Sequence, residues 1–204
     1  MTALIAVIAI GGPLLLHWAI VSESDLLLRL FFLAAAVVTA VGGVRRGRVI
    51  RYGLGALSLI GVAYLVDVQL SRAFAPAWAA FAYVGLAWVF ARTLREGVTP
   101  LVERFARLEH TEGMAPELIR YARLITQIWS VFFIALAAAT VLLTAMASTE
   151  VLSLFTNVLS WFFLAGLYFA EYAYRQWWAF PHVPHRNPVS VAISIVRNAP
   201  QLLR

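Results

Sequence analysis

Residues 126–148 read 126-TQIWSVFFIALAAATVLLTAMAS-148 and contain no charged side chain. A helix needs about 20 mostly apolar residues to cross a bilayer, so this stretch predicts a membrane-spanning helix. Five further stretches have the same character, at residues 3–21, 26–44, 52–70, 76–91 and 151–174. The sequence therefore predicts an all-α, polytopic membrane bundle of about six transmembrane helices.

The composition of the whole chain agrees with that fold class. Of the 204 residues, 62% are hydrophobic and 13% are charged, whereas soluble domains are about 45–50% apolar and about 25% charged. The chain has no cysteine, which excludes disulfides, thiolate metal sites and cysteine nucleophiles. A net charge of +6 is explained by the excess of basic residues on the cytoplasmic side of membrane proteins, and we predict no nucleic-acid partner.

The arginines divide the connections between the spans into two sets. All sixteen basic residues are arginine, and fourteen lie in the second connection, the fourth connection and the C-terminal tail. Basic residues near span ends stay in the cytoplasm, so we predict a bacterial inner-membrane protein with both termini cytoplasmic. The arginines expected to contact anionic lipids or a partner are Arg45, Arg46, Arg48, Arg51, Arg92, Arg95, Arg104 and Arg107.

The fourth connection, residues 92–125, has a pattern of its own. Thr99 suits an N-cap and Pro100 the first helical position. Leu101 and Phe105 follow at a spacing that predicts a short amphipathic helix on the anionic inner leaflet. We therefore predict one transmembrane domain over residues 1–187, with this cytoplasmic connection inside it and an interfacial tail over residues 188–204.

Four polar residues are expected at similar depth near the outer ends of different spans: His17, Arg29, Asp67 and Asn157. Ionisable groups within spans are costly, and they usually pair with one another or mark a functional site. In a structural interpretation, Asp67 pairs with Arg29 while His17 and Asn157 form hydrogen bonds between helices. In a functional interpretation, the four line a cavity where Arg29 holds an anionic head group and His17 moves a proton.

A second group of candidates lies at the cytoplasmic end of the sixth span, in 171-EYAYRQWWAFPHVPHR-186. Glu171 and Arg175 are spaced i, i+4 and predict a local ion pair. The aromatic residues are typical of a membrane interface. His182 and His185 lie on a proline-bounded turn rather than on one helix face, so we predict no metal site; a site that also uses His110 and Glu171 remains the alternative.

Two stretches, 92-RTLREGVTPLVERFARLEH-110 and 171-EYAYRQWWAFPHVPH-185, resemble a family of uncharacterised bacterial inner-membrane proteins. That family is encoded beside genes for aryl polyene or xanthomonadin-type pigment synthesis, often under the label ketosynthase. The resemblance implies a helper in making, moving or attaching a membrane-bound polyene-carboxylate lipid. It supplies no catalytic residues, and the chain lacks the cysteine that a ketosynthase needs.

Three functions follow as hypotheses. The first is a non-enzymatic scaffold or transport factor whose arginine face recruits acidic partners such as acyl carrier protein. The others are a small intramembrane enzyme that transfers an acyl or other lipid group, and a secondary transporter of a lipid-like anion. The common catalytic and nucleotide-binding motifs are absent from the sequence, which favours the first hypothesis and predicts no cofactor. Substrate and oligomeric state are left open.

Overall fold

A computed structural model describes residues 2–45, 49–65, 67–107, 114–181, 187 and 189–191. In these ranges the chain forms helices and turns but no β-strand, which confirms the all-α class. The α-helices are α1 Thr2–Val21, α2 Asp25–Arg45, α3 Val49–Leu65, α4 Val68–Arg92, α5 Leu101–Arg107, α6 Pro116–Met146, α7 Thr149–Leu154 and α8 Ser160–Tyr174, with π-helical segments at Phe155–Leu159 and Arg175–Ala179.

The contacts within the chain divide it into two compact units. Unit 1 comprises Met1–Ala79 and Thr140–Trp161, and unit 2 comprises Ala80–Ala139 and Phe162–Arg204. Each unit is described below by itself.

In unit 1, α2 packs against α1 and α3, while α1 also contacts α7 and the Phe155–Leu159 segment. Small side chains permit this close packing. A Cβ atom on Gly12 of α1 would lie 3.2 Å from the Phe31 ring of α2, closer than most side-chain contacts. Ala36 of α2 and Ala56 of α3 are also buried. Such small residues allow α2 to approach its neighbours α1 and α3 closely.

In unit 2, aromatic rings join α4 to α6. The Phe90 ring lies 6.1 Å from Trp129 and 5.5 Å from Phe133 between centroids, within the range of favourable aromatic pairs. The predicted amphipathic helix is present as α5, and Leu101 at its start is 2% exposed. Glu103, which the pattern does not place in the core, is 4% exposed.

The predicted boundary between the third and fourth spans was wrong. The sequence pattern placed a connection at residues 71–75, but α3 ends at Leu65 and α4 runs from Val68 through these positions. Pro76 lies inside α4. Asp67 directly precedes α4 and is exposed, so it belongs to the connection rather than to a span. An aspartate suits that position because N-cap side chains accept hydrogen bonds from the first turn.

Two stretches of helix in the described part of the chain are long and apolar enough to cross a membrane, Pro116–Met146 and Thr149–Ala179. Only 28% and 17% of the most apolar 18-residue segment of each stretch is buried. The core helix of a soluble protein, in contrast, is mostly buried. Large apolar side chains are exposed on them, among them Val131, Phe162 and Met146. These observations favour a membrane protein. Gly11–Val21 and Tyr52–Leu65 are shorter apolar helical stretches.

Candidate functional site

Unit 1 contains a polar network of three side chains, His17, Ser153 and Asn157. His17 lies on α1, one turn before the helix ends, and its Nδ1 is 3.0 Å from Ser153 Oγ on α7. Asn157, one turn after Ser153, donates from Nδ2 to the same oxygen at 3.1 Å. Two of the four residues predicted to lie at one depth therefore meet, through a serine that the sequence did not single out.

The Ser153 hydroxyl has two side-chain partners in the network. Ser153 is 4% exposed, and its hydroxyl oxygen accepts a hydrogen bond from Asn157 Nδ2. Among the described residues, the other side-chain partner of this hydroxyl is His17. A buried hydroxyl proton needs an acceptor, and His17 Nδ1 can accept it in the tautomer that carries its proton on Nε2.

Local structure fixes the positions of Ser153 and Asn157. Ser148 caps α7, its hydroxyl accepting from Val151 N at 3.4 Å. The helix then widens into the π-helical turn Phe155–Leu159, which contains Asn157. Thr156 donates to the Leu152 carbonyl at 2.9 Å. π-helical turns inside α-helices are frequent at functional sites, which makes this network a candidate site.

Arg29 and Asp67 do not join this network. Arg29 lies on α2 and Asp67 lies directly before α4, and both are exposed. The ion pairs between described residues do not include one between these two. The expected four-residue cluster is therefore brought together only at His17 and Asn157.

Unit 2 contains an interface cluster formed by Tyr121, Glu171 and Arg175. The predicted ion pair is confirmed: Arg175 Nε lies 3.3 Å from Glu171 Oε1, and the side chains are 13% and 12% exposed. The Tyr121 hydroxyl on α6 donates to the same Glu171 oxygen at 3.2 Å. Spacing in the sequence could not identify this contact, because the two residues are fifty positions apart.

A cleft of about 330 Å³ opens beside this cluster. Its volume is at the lower end of the range for small-molecule sites. Tyr121 and Tyr174 form part of one wall, with their rings 6.3 Å apart and within 18° of parallel. The cleft is lined by Tyr121, Leu124, Ile125, Ile128, Trp129, Leu167, Ala170, Glu171 and Tyr174.

The candidate histidines His110, His182 and His185 lie outside the described residues. Among the residues that the structure describes, no group of three histidine, cysteine or acidic side chains is arranged to hold a metal ion. The metal alternative at this end of the chain therefore stays untested.

The segment Thr93–Arg107, called here the arginine connection, is folded against α6. Leu101 N donates to Thr93 Oγ1 at 3.0 Å, and Val102 N donates to Thr126 Oγ1 at 3.3 Å. Thr93 and Thr126 are 3% and 0% exposed. Gly97 provides the positive φ of 76° at the turn. These buried bonds hold the connection in a defined structure.

The arginines of this region have different surroundings. Arg92 lies over the Trp88 ring at 4.9 Å, and Arg107 forms an ion pair with Glu103 at 2.6 Å. Arg104 donates to the Thr99 carbonyl at 3.1 Å. Arg95 is exposed. Of the other arginines predicted to contact lipids or a partner, Arg46 and Arg48 lie outside the described residues. Arg45 and Arg51 lie on helices, but their side chains are not described.

Comparison of the chain with protein-family models, curated proteins and solved structures gives no match. In its described part, the chain is a helical protein with two candidate membrane-spanning helices, a polar network in unit 1 and an apolar cleft in unit 2.

Proposed function

We propose that the chain is a multi-span protein of the bacterial inner membrane, with about six spans and both termini in the cytoplasm. The order of apolar helices supports this topology. The helices α1 to α4 precede the two stretches that are long and apolar enough to cross a membrane, Pro116–Met146 and Thr149–Ala179. The separation of fourteen arginines into alternate connections supports the orientation. This topology places the arginine connection on the cytoplasmic face.

The role we propose is that of an accessory protein in making or moving a polyene-carboxylate lipid of the aryl polyene type. The pathway assignment is supported by the resemblance of residues 92–110 and 171–185. The observation that favours a scaffold is the folded arginine connection, fixed by the Thr93 and Thr126 hydroxyls. A fixed basic surface can hold an acidic partner such as acyl carrier protein with little loss of conformational entropy.

Binding to acyl carrier protein tests this role. Arg95 and Arg120 are suitable positions because both are exposed, and the Arg120 pair with Glu117 is loose at 3.7 Å. We expect the double variant Arg95→Glu, Arg120→Glu to weaken binding by about tenfold or more, and matched Arg95→Lys, Arg120→Lys to retain it. Binding that is insensitive to salt, or equal in the two double variants, would contradict an arginine-driven contact.

A deletion strain tests the pathway separately. Retention of a finished but unattached polyene inside the cell would support a transport or attachment factor, whereas a missing chemical step would support an enzyme. Unchanged pigment and unchanged envelope lipids would contradict the pathway assignment.

A second candidate function, transfer of an acyl group, is favoured by the Ser153–His17 hydrogen bond. A serine hydroxyl that donates to an imidazole is the arrangement of an activated nucleophile. The Ser153 oxygen would form an ester with the acyl carbonyl while its proton passes to His17 Nδ1. That proton would then leave with the departing alcohol or thiol, and an acceptor hydroxyl would release the acyl group in the reverse sequence.

A fluorophosphonate probe tests this candidate without knowledge of the substrate. Attack by Ser153 would form a serine–phosphorus bond and release fluoride. We expect labelling of the unmodified chain, its loss in Ser153→Ala and His17→Gln, and its retention in the control Ser160→Ala, which removes another buried serine hydroxyl of unit 1. Absence of labelling in the folded, unmodified protein would remove the enzyme candidate.

A further inference from the structure

The cleft of unit 2 combines apolar walls with a polar group at one position. Two of its lining side chains bear polar atoms that interact in the interface cluster, the Tyr121 hydroxyl and the Glu171 carboxylate. The other lining side chains are aliphatic or aromatic, and of these Trp129 and Tyr174 each carry one polar atom. An apolar cleft with a few convergent polar groups is the usual form of a site for a small amphiphile.

The walls belong to the two helical stretches that are apolar enough to cross a membrane. Leu124, Ile128 and Trp129 lie on α6, and Leu167 and Ala170 lie on α8. Leu124 is 50% exposed and Ile128 is 38% exposed. Under the topology proposed above, the exposed side of the cleft toward Ile128 and Trp129 faces the hydrocarbon phase, from which an acyl chain can enter.

The charges at the cleft restrict the head group. Glu171 is paired with Arg175 at 3.3 Å, so these two side chains contribute no net charge. Among the described residues that line the cleft, Glu171 is the one charged side chain, so a further ion would lose its hydration without another opposite charge from them. An ester or hydroxyl group, in contrast, needs only a hydrogen-bond partner, which Tyr121 and Glu171 can provide.

We propose that this cleft is a binding site for the apolar chain of a single-chain amphiphile with an uncharged, hydrogen-bonding head group. The chain lies between α6 and α8, and the head group lies at the Tyr121–Glu171 end. This site rests on the proposed membrane topology but not on the proposed recruitment of an acidic partner.

The probe for this site is the methyl ester of cis-parinaric acid, a fluorescent fatty acyl ester, added to the purified full chain in detergent. Trp129 lines the cleft and can transfer excitation to a bound probe. We expect saturable binding with one probe per chain, and displacement by methyl stearate. A signal that rises without saturation, or that methyl stearate does not reduce, would overturn the proposal.

Two substitutions on α8 form a matched pair. Ala170→Phe fills the cleft, whereas Ala165→Phe places the same side chain at an exposed position that does not line it. We expect Ala170→Phe to weaken probe binding by about tenfold or more and Ala165→Phe to leave it unchanged. Equal effects of the two variants would overturn the proposal, provided that both elute as folded protein.

Three further comparisons define the occupant. Binding of free cis-parinaric acid about tenfold tighter than its ester would overturn the uncharged head group. A dimer that Ala170→Phe dissociates, together with no probe binding, would assign the cleft to a second copy of the chain. The Arg95→Glu, Arg120→Glu variant is expected to bind the probe normally, so failure here and failure of partner recruitment are distinguishable.

Discussion

At the scale of single residues, the Ser153 hydroxyl links two helices through two partners. Its removal leaves His17 Nδ1 without its partner at 3.0 Å and Asn157 Nδ2 without its acceptor at 3.1 Å. Ser160 is a useful contrast, because it is 1% exposed and its hydroxyl donates to the Thr156 carbonyl one turn earlier. The two serines are thus both buried, but in the described part of the chain they differ in what they connect.

We predict that Ser153→Ala destabilises the protein by about 1–2 kcal/mol and that Ser160→Ala costs clearly less. The Thr156 carbonyl lies inside the helix and loses only a supplementary donor. Thermal unfolding of both variants in the same detergent measures the difference. Equal midpoints would show that the network contributes nothing beyond ordinary helix packing.

The Glu171–Arg175 pair has a natural comparison in the same unit. Its side chains are 12% and 13% exposed, whereas those of Glu117 and Arg120 are 61% and 79% exposed and lie 3.7 Å apart. Exposed pairs are worth about 0–1 kcal/mol, because water screens the charges. Charges held away from water interact more strongly.

We predict a coupling energy of roughly 1–3 kcal/mol between Glu171→Gln and Arg175→Gln in a double-mutant cycle. The same cycle on Glu117 and Arg120 should give about 0.5 kcal/mol or less. Unfolding by denaturant in mixed micelles measures both cycles. A coupling no larger in the buried pair than in the exposed one would be the contrary result.

At the scale of elements, the arginine connection depends on α6 for its structure. Thr126 is fully buried on α6, donates to the Ala122 carbonyl at 2.8 Å and accepts from Val102 N. α5 has only seven residues, and helices this short are marginal without tertiary support. The defined shape of the connection is therefore a property of this contact rather than of α5 alone.

We predict that Thr126→Val speeds tryptic cleavage after Arg104 and Arg107 by about fivefold, since loss of one hydrogen bond costs about 1 kcal/mol of local opening. Ser130→Ala is the control, because the Ser130 hydroxyl donates to the Thr126 carbonyl within α6 and not to the connection. If both variants are cut at the rate of the unmodified protein, the connection is held by other contacts.

The sequence predicted the positions of the helices better than the contacts between them. Apolar runs and the Thr99–Pro100 signal located most helices because these cues are local. The start of α4 was misplaced because Pro76 is accommodated inside this helix, although proline usually ends a helix. The contact of His17 with Ser153 spans 136 positions. Depth in the membrane does not determine how a helix is rotated or which helices are adjacent. The contacts of Ser153 and Tyr121 could therefore be identified only from the structure.

At the scale of the whole molecule, the number of spans determines which connections face the cytoplasm. If six helices cross, Ser22 and Glu150 share the periplasmic side, and Glu96 and Ala115 lie in the cytoplasm. If only Pro116–Met146 and Thr149–Ala179 cross, Glu150 is alone on its side and Ser22 joins Glu96. The position of Ser22 therefore distinguishes a six-span protein from a two-span hairpin.

Single cysteines can measure this, because the chain has none of its own. We predict that Ser22→Cys and Glu150→Cys react with a membrane-impermeant maleimide in intact spheroplasts. Glu96→Cys and Ala115→Cys should react only after permeabilisation, since the positive-inside bias keeps the arginine-rich connections in the cytoplasm. Labelling of Glu150→Cys without Ser22→Cys would establish the hairpin instead, and labelling of Glu96→Cys in intact spheroplasts would reverse the orientation.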